Sequence, residues 1–351
     1  MSSSPRLRRV LLLPVLALGL LAAACGGDDG GAGTEGTADE VEETTLSIVG
    51  FAVPEAANKA IADEFTKTDD GAGVSFKTSY GASGDQSRAV VDGLEADYVH
   101  FSVASDVTRL VDEGLVAETW DDGPTKGIVS SSIVVFAVRE GNPKGIEDWE
   151  DLIQSGVEIV TPNPASSGAA RWNALAAFGQ AVHGGATDAE AEGYLTKFFA
   201  NVVALPGSGR DATTAFLGGT GDVLMAYENE AILAHQNGEE FDYIIPETTM
   251  LIENPGAILI DAEPKAQSWL DFVLSVDGQR QFALKGFRPV IEDVDFGDVE
   301  GANDPSDPFP AVTNLLTVDG DFESWEALSA KFFDEEDGIV TRIIAASGKG
   351  E

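Results

Sequence analysis

Cysteine, histidine and positive charge are all scarce in this chain of 351 residues. The single cysteine, Cys25, excludes any disulfide within the chain. His100, His183 and His235 lie far apart and share no metal-ligand spacing, and there is no HExxH pair. No Gly-rich nucleotide-binding loop is present. Ser83 and Ser167 could act as nucleophiles only beside a base, and neither sequence neighbourhood offers one. The chain is therefore expected to be no enzyme and to carry no cofactor or metal. Lys and Arg number 21 against 60 Asp and Glu, a net charge of −39. Such a chain repels a nucleic-acid backbone. The acidity serves solubility or an adaptation to high salt, and composition alone leaves both open.

Long apolar runs are also few. The one near the amino terminus, Val10 to Leu21, follows Arg6, Arg8 and Arg9 and precedes Ala22-Ala23-Ala24-Cys25. It is short for a membrane span, so residues 1–25 read as a secretory signal. A Cys after three small residues resembles a bacterial lipobox, in which the Cys is lipidated; Leu21 stands one place upstream of the usual position. Residues 26–44, Gly-rich and acidic, cannot bury a core and read as a disordered tether. These features place the folded part just outside a membrane, held by an amino-terminal lipid anchor.

What the chain does have is a repeated junction. In TPNPASSGAARW (161–172), Pro162 and Pro164 end a β-branched run. Small residues then lead into apolar positions at helical spacing. The unsatisfied N–H groups of a helix start, with the Ser167 hydroxyl, form an anion site. The design recurs at YGASGDQS (80–87) and at PGSGRDATT (206–214). Ser83 with Gln86, and Ser208 with Asp211, have capping-box-like spacing. Three such turns point to a converging cage of neutral donors. Neutral donors reconcile anion binding with an acidic surface, whose charges are screened within about 10 Å at ordinary salt.

Strands alternate with helices from residue 45 onward, which implies α/β layers with mostly parallel sheets. Ligands in such folds sit off the carboxyl ends of strands, where all three turns lie. Strands are expected at 45–53, 74–79, 132–138, 222–227 and 256–260, among others. Residues 291–321 read as acidic surface loop, and 323–333 as a last helix. Trp149, Trp172, Trp269, Phe178 and Phe216 read as packing residues.

Longer motifs are more specific. SYGASGDQ (79–86), GLEADYVHFSVASDV (93–107), SSIVVFAVREGNPKGIEDWEDL (131–152), VTPNPASSGAARWNALAAFG (160–179), SGRDATTAF (208–216), GDVLMAYENEA (221–231) and GFRPV (286–290) follow one another in order. With them the chain from about 46 to 290 resembles the bacterial sulfate- and thiosulfate-binding proteins, the extracytoplasmic receptors of ABC importers; the match fades beyond. The resemblance implies a two-lobed, periplasmic-binding-protein-like (type II) α/β fold with ligand between the lobes. Lobe one would hold 46–134 and return at 253–351 with an acidic carboxyl-terminal extension, and lobe two would hold 135–252. Crossings would fall near 131–135 and 247–254. It implies sulfate or thiosulfate as ligand, permease subunits as partners, and a monomer.

Carried over residue by residue, the ligand contacts would be Ser83, Ser167, the N–H groups of Gly168, Ala169 and Gly209, and Tyr227. The family has Gly at position 169 and a Trp indole at 227. Arg171 and Arg210 would steer the anion, touch it, or support the turns from behind. Asp85 and Asp211 would favour the helix starts or face the ligand as acceptors. Another tetrahedral oxyanion, phosphate or molybdate, is the alternative ligand.

Overall fold

A computed structural model describes residues 43–349. The signal, Cys25 and nearly all of the tether lie outside them. Within the described part, β-branched and apolar runs form strands that feed helices. β1 (Thr44–Phe51), α1 (Glu55–Phe65), β2 (Val74–Gly81), α2 (Ser83–Val91), β3 (Tyr98–His100) and α3 (Ala104–Asp112) alternate regularly. The long β4 (Ile128–Val138) follows, then α4 (Trp149–Leu152), β5 (Ile159–Val160), α5 (Gly168–His183), α6 (Asp188–Asn201) and β6 (Val202–Ala204). Next come α7 (Gly209–Leu217), β7 (Val223–Tyr227), α8 (Glu228–Gln236) and β8 (Asp242–Ile244). A second long strand, β9 (Thr248–Ile258), leads to α9 (Lys265–Val273) and α10 (Val276–Leu284). The chain ends with β10 (Asn314–Leu316), α11 (Val318–Asp321), α12 (Trp325–Phe333) and α13 (Ile339–Ser347).

The strand order is β2-β1-β3-β9-β4-β7-β5-β6, with β10 beside β9 and β8 beside β4. The flanks are parallel as expected: β1 with β2 and β3, β5 with β6 and β7. The middle is not. β9 runs antiparallel to β3 and β4, and β4 antiparallel to β7 and β8. β9 joins the β1–β3 flank through β3, β4 joins the β5–β7 flank through β7, and the two long strands pair with each other. Ile128 to Ile133 of β4 pair with β9, and Val134 to Val138 pair with β7. The strand expected at 256–260 begins earlier, at Thr248, and takes Pro255 into β9 where β4 shifts register between Ile128 and Ser130.

All three expected packing tryptophans are buried, as are Phe178 and Phe216. The carboxyl-terminal expectations need correction. Residues 291–321 contain β10 and α11, and α13 follows the helix that was to be the last. Nor does this tail pair with the β1–β3 strands, although α12 also touches α3. Trp325 stands edge-on to Trp172 with ring centroids 4.7 Å apart, and Phe332 meets Phe178 at 4.8 Å. Lys331 pairs with Asp188 at 2.8 Å, and Lys349 donates to the carbonyls of Phe199 and Ala200. The tail thus packs on α5 and α6. Its acidic composition conceals an apolar face of Leu328, Phe332, Val340 and Ile344, all buried. No helix of the described residues is long and apolar enough to cross a membrane.

Candidate functional site

The three Gly/Ser turns come together. Val53, Ala82, Ser83, Ser102, Ser167, Gly168, Ala169, Ser208 and Gly209 line one small enclosed space with Phe51, Ala52 and Gly81. Its volume of about 10 Å³ is far below the roughly 300–1,000 Å³ of pockets that take drug-sized ligands. Room of that order is about what one water-sized group needs. Ser83, Gly168 and Gly209 are the first residues of α2, α5 and α7, and Ala169 is the second of α5. Their N–H groups have no acceptor within their own helices, and each helix start carries partial positive charge. No charged side chain and no imidazole lines the space. That set offers a metal cation no charged ligand and offers an oxyanion a ring of donors.

The four serine hydroxyls differ in what they have left to give. Ser167 is the N-cap residue of α5, yet its side chain makes no capping bond, and it is 3% exposed. Its hydroxyl is thus available to the space. Ser208 caps α7 by accepting from the Asp211 N–H at 3.1 Å, and its hydroxyl donates to the Asp211 carboxylate at 2.7 Å. Ser83 is the first residue of α2, not its cap, so the spacing with Gln86 makes no capping box. Its hydroxyl donates to the buried Asp106 carboxylate at 2.6 Å and accepts from the Ser102 N–H at 2.9 Å. The side-chain hydrogen expected to reach a ligand is therefore held by Asp106, and Ser83 offers its backbone N–H.

Tyr227 also takes a different place from the one expected. Its phenol does not line the space but meets the Ser102 hydroxyl at 2.7 Å, and Ser102 does line it. Burial pushes the Tyr227 pKa up, against hydrogen bonds with Ser102 and Asn254, so the phenol stays protonated. Behind it a buried polar chain continues. Asn254 donates to the Ser102 carbonyl at 3.0 Å and lies 3.3 Å from the Ser130 hydroxyl. His100 stands between Ser130 at 3.1 Å and Asn58 at 3.2 Å. Burial lowers the His100 pKa to about 3, so the ring is neutral at ordinary pH.

None of the four charged candidates lines the space. Asp85 is exposed and paired with Arg88. Asp211 faces its cap. Arg171 reaches the Pro164 carbonyl at 3.3 Å and the Ser105 hydroxyl at 3.4 Å. Arg210 forms a two-point pair with the buried Glu230, at 2.7 and 3.0 Å, and Thr213 donates to the same carboxylate. Ser102 and Asp106 were not singled out, and Ser208 only for its spacing to Asp211. Yet FSVASD (101–106) is itself a strand end entering a helix, the pattern that marked the other turns.

Contacts also cross from the β1–α3 side to the β5–α8 side. The Gly84 N–H donates to the Ser166 carbonyl at 3.0 Å, and the Trp172 indole to the Ser102 carbonyl at 2.8 Å. Arg210 Nη2 donates to the Val53 carbonyl at 3.2 Å. A Cβ on Gly168 would fall 2.6 Å from Ser102 Cβ and Oγ, so the two sides meet too closely there for any side chain.

The family described as bacterial extracellular solute-binding protein matches residues 46–288. The sulfate-binding protein of Synechococcus elongatus is 39% identical over 325 residues, 89% of each chain. The thiosulfate-binding protein of Escherichia coli is 32% identical, covering 83% of this chain and 87% of its own. Among solved structures, the sulfate-binding protein SubI from Mycobacterium tuberculosis superposes with a TM-score of 0.78 at 41% identity, covering 83% of this chain and 100% of its own. The chain belongs to the bacterial extracellular solute-binding protein family, alongside its sulfate- and thiosulfate-binding members.

Proposed function

We propose that this protein is the extracytoplasmic receptor of an ABC importer and that its ligand is sulfate, with thiosulfate as a second substrate. The observation that carries the reading is the lining of the enclosed space, which is uncharged throughout and rich in helix-start N–H groups. Sulfate has no proton near neutrality, so a site of donors alone suits it, whereas phosphate keeps a proton and needs an acceptor. Neutral donors fixed in place hold a dianion without a buried cation, and the similar proteins are named for sulfate and thiosulfate. The ligand contacts in this reading are the Ser167 hydroxyl and the N–H groups of Ser83, Gly168, Ala169 and Gly209, with Ser102 added. Tyr227 acts through Ser102, while Arg210, Arg171 and Asp211 brace the turns.

The β1–α3 side, with 253–290, would be one lobe and 135–252 the other, the tail riding on the second. The antiparallel pair β4/β9 would be the hinge. Binding would favour the joined arrangement. Lipidation at Cys25 would hold a monomeric receptor at the membrane beside its permease.

Calorimetric titration of the dialysed protein with sulfate, thiosulfate, phosphate and molybdate tests the reading. One sulfate per chain, bound more tightly than phosphate or molybdate, is expected. Preference for phosphate or molybdate would replace the ligand, and no binding of any of the four would remove the proposal.

A further inference from the structure

We propose that a second cavity, beneath α12 and α13, binds an organic anion with an apolar body. This cavity measures about 760 Å³, within the roughly 300–1,000 Å³ typical of small-molecule sites. Arg88, Arg109 and Arg171 line it together with the apolar Phe333, Ile344 and Ala345. Three arginines on one cavity are notable in a chain with 21 cations and 60 acids. Two of them have carboxylate partners, Asp85 for Arg88 and Asp106 for Arg109. Arg171 has none among the described residues. Its two hydrogen bonds are long, 3.3 and 3.4 Å, to a carbonyl and a hydroxyl, and its guanidinium stands 5.2 Å from the Phe333 ring. Burial works against its charge, and the neighbouring Arg109 and Arg88 add to that, with Asp106 opposing. A carboxylate or sulfonate beside Arg171 relieves a half-buried cation that lacks an anion.

The rest of the lining limits the ligand further. Asp334 and Glu335 also border the cavity. Asp334 is occupied by the N–H groups of Glu336 and Asp337. These two acids disfavour a second negative charge on the ligand, so it carries one. Inorganic sulfate would leave the apolar lining uncovered. An anionic bilayer would be repelled by the net charge of −39, which points to a soluble molecule.

The probe is 8-anilinonaphthalene-1-sulfonate, which has one sulfonate on an apolar body, titrated into the intact protein by fluorescence and calorimetry. One molecule per chain is expected, displaced by decanoate and not by sulfate. Arg171→Gln should weaken binding about tenfold or more by removing a charge-assisted bond. Ala345→Trp should abolish it by filling the cavity from its apolar lining. Both variants should keep a cooperative melt. If Arg171→Gln fails to fold, Ala345→Trp decides alone. Unchanged dye affinity in the folded variants, or displacement of the dye by millimolar sulfate, would overturn the proposal.

Discussion

At the scale of single residues, the enclosed space divides its serines by what their hydrogens already do. Ser167 alone of the four stands at an N-cap without making the capping bond, so its hydroxyl is the side-chain donor with most to lose. Ser167→Ala should weaken sulfate binding by about 1.5–3 kcal/mol, the worth of a hydrogen bond to a charged group, as read by calorimetry. Ser167→Asp should weaken it further, since an acceptor-only charge then faces a dianion. Wild-type affinity in the Asp variant would take Ser167 out of the site. Tyr227 works on selectivity through Ser102. In the hydroxyl pair at 2.7 Å either oxygen can donate. When Ser102 donates to the phenol, its lone pairs are left for the space, and a protonated oxyanion gains an acceptor. An indole can only donate. Tyr227→Trp should therefore raise the ratio of sulfate to phosphate affinity, and equal ratios in the two proteins would sink this argument. The turns holding these serines were legible, because Gly, Ser and Pro mark them locally. The direction of each hydroxyl was not. Asp106 lies 23 positions from Ser83, and Tyr227 125 from Ser102, so only the folded chain brings the partners together.

At the scale of elements, the helix starts supply donors that no side-chain change deletes. They can, however, be pushed apart. A methyl on Gly168 would meet Ser102 Cβ at 2.6 Å, which forces α5 away from the β3–α3 turn. Gly168→Ala should reduce sulfate affinity by about tenfold or more. Ala169→Gly, which restores the residue of the sulfate-binding pattern, should change it little. Titration of the two variants side by side checks the pair, and an unaffected Gly168→Ala would show that α5 is not a site element. Helices and strands with a clear period were readable nearly to their ends: β7 spans Val223–Tyr227 against the 222–227 expected for it. The antiparallel middle was hidden because Pro255 looks like a strand breaker until β4 is seen to shift beside it. The tail was hidden because acidic residues surround the apolar face of α12 and α13. Its partners on α5 and α6 lie well over a hundred positions away.

At the scale of the whole molecule, two consequences can be measured. Cys25→Ser should release the protein from membranes, and a variant that still fractionates with them would remove the lipid anchor. The second is a pH effect. His100 has a folded-state pKa of about 3 against an ordinary 6.5. Above pH 6.5 the ring is neutral in both states and contributes no slope. Below it the unfolded chain takes up a proton that the native state refuses until about pH 3, so stability is lost as pH falls, by up to about 1.4 kcal/mol per unit. A His100→Gln variant, whatever its absolute stability, should lack that part of the slope in melts between pH 6.5 and 4; equal slopes would contradict it. Sulfate affinity should meanwhile stay nearly flat from about pH 5.5 to 8, because nothing lining the space titrates there. The contacts joining the two sides carry a different consequence, one of heredity. Their acceptors are the main-chain carbonyls of Ser166, Ser102 and Val53. No codon specifies a carbonyl. Mutation can erase the indole of Trp172 or the guanidinium of Arg210, but the oxygen each one grips survives nearly any exchange at its own position. In these three bonds evolution can tune the grip at Trp172 and Arg210, while residues 53 and 166 can drift without touching it; residue 102 is held besides by its hydroxyl on Tyr227 and its contact with Gly168.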